Sequence, residues 1–147
     1  MIRPPKGLFL PVVCLFAAIL AGCAGPSANR KKEADARMRM GVTYLEQRNL
    51  PMAMRELTKA SELDPDNPEI DMTLGLAYQA RGDLSKAEEH LRRAISKKPD
   101  YADARNNLGI VLAERKEWDK AIREFEAAAA NVMYTTPERA YFNLGEA

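Results

Sequence analysis

Residues 34–67, ADARMRMGVTYLEQRNLPMAMRELTKASELDPDN, carry a pattern that the chain repeats twice more. Small, aliphatic and aromatic residues recur at a spacing of 34. The sets in phase are Gly41, Gly75 and Gly109; Ala53, Ala87 and Ala121; Ala60, Ala94 and Ala128; Leu57, Leu91 and Phe125; and Tyr44, Tyr78 and Leu112. A fixed period of this length indicates stacked copies of one supersecondary unit.

Each unit is predicted to be two antiparallel helices, which in the first unit are residues 34–47 and 51–63. Pro51 suits a first helical turn, because its missing N–H would have no partner there. Gly82 and Asp83 predict the corresponding turn of the second unit. A glycine within a helix costs about 1 kcal/mol relative to alanine. We therefore expect the glycines in phase to lie where a side chain would push the paired helices apart.

This pattern resembles the tetratricopeptide repeat, which has a period of 34 and the signature W-x2-L-G-x2-Y, A-x3-F, P. The signature Trp is absent, and Arg37, Asp71 and Arg105 take its place. The resemblance implies an all-α fold: a right-handed superhelix of three full helix pairs and the start of a fourth. Within an array of residues 34–147, the expected units are 34–67, 68–101, 102–137 and a partial unit at 138–147.

Residues 1–22 are predicted to be an export signal. Arg3 and Lys6 precede an unbroken apolar run at residues 8–21. A membrane-spanning helix needs about 20 apolar residues. This run is shorter and contains Pro11, so a cleaved secretory signal is favoured over a permanent anchor helix.

The end of this segment, Leu20-Ala21-Gly22-Cys23, resembles the lipobox of bacterial lipoproteins. The resemblance implies that Leu20, Ala21 and Gly22 are recognised by the signal peptidase and that Cys23 becomes the lipidated N-terminus. A thiolate is the nucleophile in such chemistry, and more than one acyl chain, such as palmitate, gives stable anchoring. Because Ala24 follows rather than Asp, the resemblance implies the periplasmic face of the outer membrane. No other cofactor is expected.

The mature chain is nearly neutral. Loss of Arg3 and Lys6 changes the formal charge from +1 to −1, which argues against nucleic acid as a partner. Cys14 leaves with the signal and Cys23 carries lipid, so no disulfide is expected. Residues 23–33 are small, polar and then basic, and are predicted to form a flexible, solvated tether.

The sequence contains no motif for catalysis or for a metal. The glycines follow the repeat period and are not clustered as in phosphate-binding loops. His90 is the single histidine, and we expect it to be solvated on a helix surface. The acidic segment 61–71 lacks the central glycine of a calcium loop and is better explained as a turn. We predict no enzyme activity, no metal and no small-molecule substrate.

The predicted function is protein binding in a groove lined by the first helix of each unit. Residues one turn apart on a helix point to the same side. The predicted groove residues are Met38, Val42, Leu45, Met72, Leu76, Gln79, Asn106, Ile110 and Ala113. About a third of them are expected to be core contacts instead. The acids Asp35, Glu69 and Asp103 are expected to complement the helix dipoles and, secondarily, to form an acidic rim.

Some tetratricopeptide domains hold a C-terminal carboxylate with Lys, Arg and Asn in this groove. The corresponding positions here are Met38, Val42, Thr73, Asp103 and Asn107. A carboxylate clamp for chaperone tails is therefore disfavoured, and an apolar peptide segment or strand is favoured.

The fourth unit starts out of phase, because Asn143 takes the place of the next glycine and Gly145 follows two residues later. The stretch PERAYFNLG at residues 137–145, together with the lipobox and the repeats, resembles the pilotins of the PilF/PilW type, lipoproteins of type IV pilus biogenesis. The resemblance implies a protein that binds a secretin subunit and promotes its outer-membrane localisation and multimerisation.

Two other functions stay open. One is a general periplasmic scaffold or adaptor lipoprotein that recruits cell-wall enzymes, and the other is an accessory domain of a hydrolase whose catalytic part lies in missing sequence. Members of the resembled family carry more repeats. We therefore expect this chain to be a partial sequence or a protein shorter than the family norm.

Overall fold

The computed structural model describes residues 25–131 and 136–146, and these residues form seven α-helices and no strand. In chain order the helices are α1 (Gly25–Glu46), α2 (Leu50–Leu63), α3 (Pro68–Ala80), α4 (Leu84–Lys97), α5 (Ala102–Glu114), α6 (Trp118–Ala129) and α7 (Pro137–Glu146). The pairs α1/α2, α3/α4 and α5/α6 stack one after another, and α7 packs on α6. Because α1 also adjoins α3, α3 adjoins α5 and α5 adjoins α7, the first helices line one side of the array.

The same turn joins the two helices of each pair. Arg48, Gly82 and Lys116, which are in phase, have the left-handed φ values 57°, 82° and 63°. In the second unit the Gly82 N–H donates to the Gln79 carbonyl (2.8 Å) and the Asp83 N–H to the Tyr78 carbonyl (3.0 Å). This pattern is the Schellman motif that satisfies the last carbonyls of a helix. The prediction of a turn at Gly82 and Asp83 is confirmed.

The three mid-helix glycines lie where the paired helices approach most closely. A Cβ added at Gly41 would be 2.5 Å from Leu57 Cγ, and one at Gly75 would be 2.7 Å from Leu91 Cγ. The equivalent carbon at the third glycine would be 2.4 Å from a ring carbon of Phe125. All three neighbours are buried core side chains. The predicted reason for glycine at these positions is confirmed.

The first helix starts earlier than predicted. Helix α1 begins at Gly25, so residues 25–33 of the predicted tether are helical, and the tether prediction is wrong there. The segment is rich in good helix formers, and a Glu33–Arg37 pair (2.8 Å) supports the helix one turn on. Arg30 Nη2 also donates to the Glu62 carbonyl of α2 (3.4 Å). Helix α2 agrees closely with the predicted second helix.

The predictions of a signal segment and of a lipidated Cys23 concern residues 1–24, which lie outside the described residues. Among the helices of the described part, none is both long enough and apolar enough to cross a membrane.

At the C-terminal end of the array, α7 begins at Pro137, one residue before the predicted fourth unit. Ala140 is buried like Ala104, which lies 36 residues earlier, and this agrees with a shift of two residues in the repeat.

Candidate protein-binding groove

Side chains near both ends of the first helices join these helices into one continuous face. In the last turns of α3 and α5, Gln79 Nε2 donates to Glu114 Oε1 at 2.6 Å. Between α7 and α5, Asn143 Nδ2 donates to Asn106 Oδ1 at 2.9 Å. These bonds connect neighbouring units directly, so the concave side is a shared surface rather than a set of separate helices.

The structure places the nine predicted groove residues at different depths. Five of them pack against the hydrophobic core and are partly buried: Met38, Leu45, Met72, Ile110 and Ala113. Asn106 is 1% exposed. Leu76 and Gln79 are half-buried, and Val42 is the most open at 37%. The expected fraction of core contacts among these nine residues, about a third, was too low. Long side chains on a helix lean over the preceding turn and cover the adjacent helix, which removes part of their surface from the groove.

The open part of this face is an apolar line that ends in a concavity between α5 and α7. Val42, Leu76 and Ile110 are in phase and form this line. At its end, Ile110 lines a concavity of about 430 Å³ together with residues of α7, namely Glu138, Arg139, Phe142 and Asn143. Phe142 is 68% exposed. A strict spacing of 34 did not identify Phe142, because this residue is in phase with Asn106 only after the two-residue slip is included.

A second concavity, of about 420 Å³, lies at the outer side of α1 and was not predicted. Ala36, Arg39, Met40, Thr43, Tyr44 and Gln47 line it. The residues of α3 in phase with Ala36 and Met40 are Ile70 and Leu74, and both are buried in a core cluster with residues of α2. This side of α1 is therefore the surface that, in the later units, packs against the preceding helix pair.

Polar pairs fill the position of the missing signature Trp. Arg37 Nη1 lies 3.0 Å from Glu56 Oε2, and Arg105 Nη1 lies 3.0 Å from Glu124 Oε2. In the second unit the pair is formed by Asp71 and a histidine. Each pair joins the first helix of a unit to its second helix. The sequence analysis noted the replaced residues and missed their partners, which also recur at a spacing of 34.

His90 is not solvated, and that prediction is wrong. Its side chain is 14% exposed, its Nδ1 lies 2.9 Å from Asp71 Oδ1, and its ring stacks on Tyr78 with 5.2 Å between centroids. Asp71 also contacts Lys97 Nζ and, at 3.4 Å, Arg93 Nη2. The histidine is turned inward because α4 packs this side against the buried carboxylate of α3.

The environment of Asp71 keeps its carboxylate charged. Burial alone would raise its pKa, but the hydrogen bonds with His90 and Lys97 and the charges of Lys97 and Arg93 together lower the pKa below its ordinary value. This cluster holds α3 against α4 and contains no nucleophile. Among the described residues, no group of His, Cys, Asp and Glu could hold a metal ion.

Two of the acids at helix starts act electrostatically on a buried tyrosine, Tyr101. Burial, and after it the negative charges of Glu69 and Asp103, together raise the pKa of Tyr101 to about 12. Glu69 is in the first turn of α3 and Asp103 in the first turn of α5. Neither forms a salt bridge with another described residue. Both charges act on Tyr101, and the Lys98 ammonium lies 4.6 Å from the centroid of the same ring.

Two family models, each described as a tetratricopeptide repeat, match residues 44–95 and 72–134. Both matches lie on the stacked helix pairs. The chain has the tetratricopeptide-repeat fold. It is an all-α superhelix, as predicted, and this class of repeat is a protein-interaction module rather than a catalytic family.

Two of the solved structures with a similar fold are 28–29% identical in sequence to this chain. PilF from Pseudomonas aeruginosa is 29% identical, with a TM-score of 0.76 over 80% of this chain and 53% of its own. PilW, described as a widely conserved type IV pilus biogenesis factor, is 28% identical, with a TM-score of 0.73 over 77% of this chain and 52% of its own. The chain thus spans about half the length of each structure.

A third similar structure is the first tetratricopeptide domain of RPAP3 bound to the HSP90 peptide SRMEEVD. It is 20% identical, with a TM-score of 0.73 over 79% of this chain and 90% of its own, and at this identity it shows the shared fold alone. No curated protein is significantly similar in sequence.

Proposed function

We propose that this chain is a tetratricopeptide-repeat lipoprotein of type IV pilus biogenesis. In this proposal it binds a secretin subunit and promotes the localisation and multimerisation of that subunit at the outer membrane. The observation that carries the proposal is the likeness to PilF and PilW at 28–29% identity, above that of the RPAP3 domain at 20%. The lipobox at residues 20–23 supports it independently, because a pilotin needs a membrane address.

The proposed mechanism divides the work between the two ends of the chain. The stacked units supply the grip on the client, along the apolar line of Val42, Leu76 and Ile110. The acyl chains on Cys23 supply the attachment to the membrane. Because α1 is helical from Gly25 onward, the described part joins the N-terminal segment through a helix and not through a long flexible tether.

A deletion strain tests the membrane role. We expect that deleting the gene reduces secretin multimers in outer-membrane fractions and that the wild-type gene restores them. Cys23→Ser should not restore them, because the thiol that receives the lipid is gone. Cys14→Ser is the matched control, since it changes a cysteine within the proposed signal and should restore them fully. Normal multimers in the deletion strain would refute the pilotin role and favour the adaptor of cell-wall enzymes.

A pair of charge substitutions tests the groove. Leu76→Glu places a charge on the apolar line and should weaken capture of the secretin subunit at least tenfold. Thr58→Glu, at an exposed position on the second helix of the first unit, is the control and should have no effect. Circular dichroism must show that both variants remain folded. Equal capture by both variants would remove the groove from the mechanism.

A further inference from the structure

The apolar line on the concave face runs between two acidic borders. Seven residues before its members lie Asp35, Glu69 and Asp103, here called the first border. Four residues after Val42 and Ile110 lie Glu46 and Glu114, here called the second border, with Ala80 between them on α3. Residues separated by four and seven positions share one face of a helix. Both borders therefore lie on the same side of the array as the apolar line.

The structure supports this placement at two points. The concavity between α5 and α7 is lined by Ile110 of the apolar line and by Arg139. With the two-residue slip, Arg139 occupies on α7 the position that Asp103 occupies on α5. A border position and a line position therefore open onto one space. At the other border, the bond between Gln79 and Glu114 joins the last turns of α3 and α5.

The acids of the two borders differ from the acids between the helices in having no cationic partner among the described residues. Glu46, Glu69 and Glu114 are exposed, while Asp35 and Asp103 are partly exposed. In the described part of the chain none of the five forms a salt bridge. By contrast, Glu56, Glu88 and Glu124 between the helices each pair with an arginine. The concave face thus keeps a negative field along both edges of an apolar strip.

Two cations limit the extent of this field. Arg39 lies beside the concave face on α1 and lines the outer concavity there. Arg139 reverses the sign of the first border on α7. The acidic character is therefore partly offset on α1 and ends before α7, and a partner that matches it must lie mainly across α3 and α5.

We propose that the groove binds a protein segment with an apolar centre flanked on both sides by Lys and Arg. The apolar centre would cover Val42, Leu76 and Ile110, and the basic flanks would meet the two borders. This inference rests on the proposed function and names the chemistry of the client segment. An acidic tail is excluded from the same groove by repulsion, because the groove presents carboxylates where a carboxylate-binding domain presents cations.

Two synthetic peptides and one natural one test the charge preference. The first peptide has the core Val-Leu-Val-Ile between Lys-Arg pairs, the second has the same core between Asp-Glu pairs, and the third is the acidic peptide SRMEEVD. Fluorescence anisotropy with the full mature chain should show at least tenfold tighter binding of the basic peptide in low salt. This advantage should fall at least threefold in high salt, because screening weakens exposed charge pairs. Equal binding of the two synthetic peptides, or no binding of the basic peptide, would overturn the proposal.

A triple variant tests whether the first border is responsible. Asp35→Asn, Glu69→Gln and Asp103→Asn together should weaken the basic peptide about fivefold or more. The matched control, Glu62→Gln, Asp119→Asn and Glu126→Gln, removes three exposed and unpaired acids from second helices. The control should change affinity less than twofold. An unchanged affinity in the first triple variant, with its fold intact by circular dichroism, would refute a role for the border.

The two levels of the proposal fail separately. If the deletion strain loses secretin multimers and the border variant restores them fully, the charge inference is wrong and the pilotin role stands. If the basic peptide binds with the expected preference while multimers are normal in the deletion strain, the groove chemistry stands and the secretin is not the client.

Discussion

His90 on α4 lies against Asp71 on α3, with 2.9 Å between Nδ1 and Oδ1, at the repeat position where Arg37 meets Glu56 and Arg105 meets Glu124. In the second unit the acid of the pair, Asp71, is on the first helix. In the first and third units the acid, Glu56 or Glu124, is on the second helix. Exchange of second helices between units would place Asp71 against a glutamate. That contact would be repulsive, because two carboxylates at one site disfavour each other's charged form.

Asp71→Asn should lower the free energy of unfolding by about 1–3 kcal/mol at pH 7, since it weakens hydrogen bonds to a charged and buried group. The pKa of Asp71 is lower in the folded state, so its contribution is present above its unfolded pKa and is lost as pH falls through the folded value. The difference between wild type and variant should therefore shrink below about pH 4. Urea denaturation between pH 7 and pH 3 measures it. Asp66→Asn, on the exposed surface, should show no difference at any pH.

Gly75→Ala should destabilise the protein by about 1–3 kcal/mol, because the new Cβ would meet Leu91 in a packed core. Helix propensity alone would predict the opposite result, because it favours alanine over glycine by about 1 kcal/mol. Gly145→Ala is the control, since a Cβ there meets nothing within 4 Å, and it should be neutral or slightly stabilising. Thermal unfolding of both variants checks the pair. A Gly75→Ala variant as stable as wild type would mean that the helices separate at little cost.

Arg48→Gly and Lys116→Gly should each stabilise the protein by about 0.5–1 kcal/mol. Both residues adopt the left-handed conformation at helix ends. This conformation costs a non-glycine residue about 1–2 kcal/mol. Glycine gives the unfolded chain more conformational entropy, and this offsets part of the gain. Gly82→Ala, at the in-phase position of the second unit, should have the opposite effect. Urea midpoints for the three variants test this, and a loss of stability in both arginine and lysine variants would contradict it.

Tyr101 should titrate near pH 12, well above an ordinary tyrosine, in a phenolate absorbance titration. Because its pKa is raised on folding, it contributes stability that is present below pH 10 and is lost as pH rises toward its folded value. Tyr101→Phe should remove this alkaline loss. Glu69→Gln combined with Asp103→Asn should lower the pKa of Tyr101, and Glu89→Gln should leave it unchanged. No change in the double variant would mean that the two acids do not act on this tyrosine.

The repeat could be predicted from the sequence because its causes are local and periodic. Pro51, the turn at Gly82 and the glycine and alanine positions each report a backbone or steric requirement that recurs every 34 residues. The start of α1 could not be predicted in this way. Its first nine residues have no apolar period, and their order depends on helix propensity and on the contact of Arg30 with the Glu62 carbonyl.

That the groove binds a partner stays a prediction, and its residues were predicted from helical spacing alone. Spacing could not tell that Met38 and Leu45 pack against the core while Val42 stays open. Phe142 was missed because its role depends on a slip of two residues whose spatial result appears only when α7 packs beside α5.

The helix pairs, their turns and the close approach of the paired helices could be predicted from the sequence alone, since each depends on residues within one unit and on a period that can be counted. The tertiary structure was needed to show that His90 is largely withdrawn from solvent against Asp71, that Arg37 and Arg105 form ion pairs at the signature Trp position, and that five acids of the concave face form no salt bridge among the described residues. These outcomes depend on which side chains reach each other across packed helices, and that distance is set by the packing of whole units rather than by any local pattern.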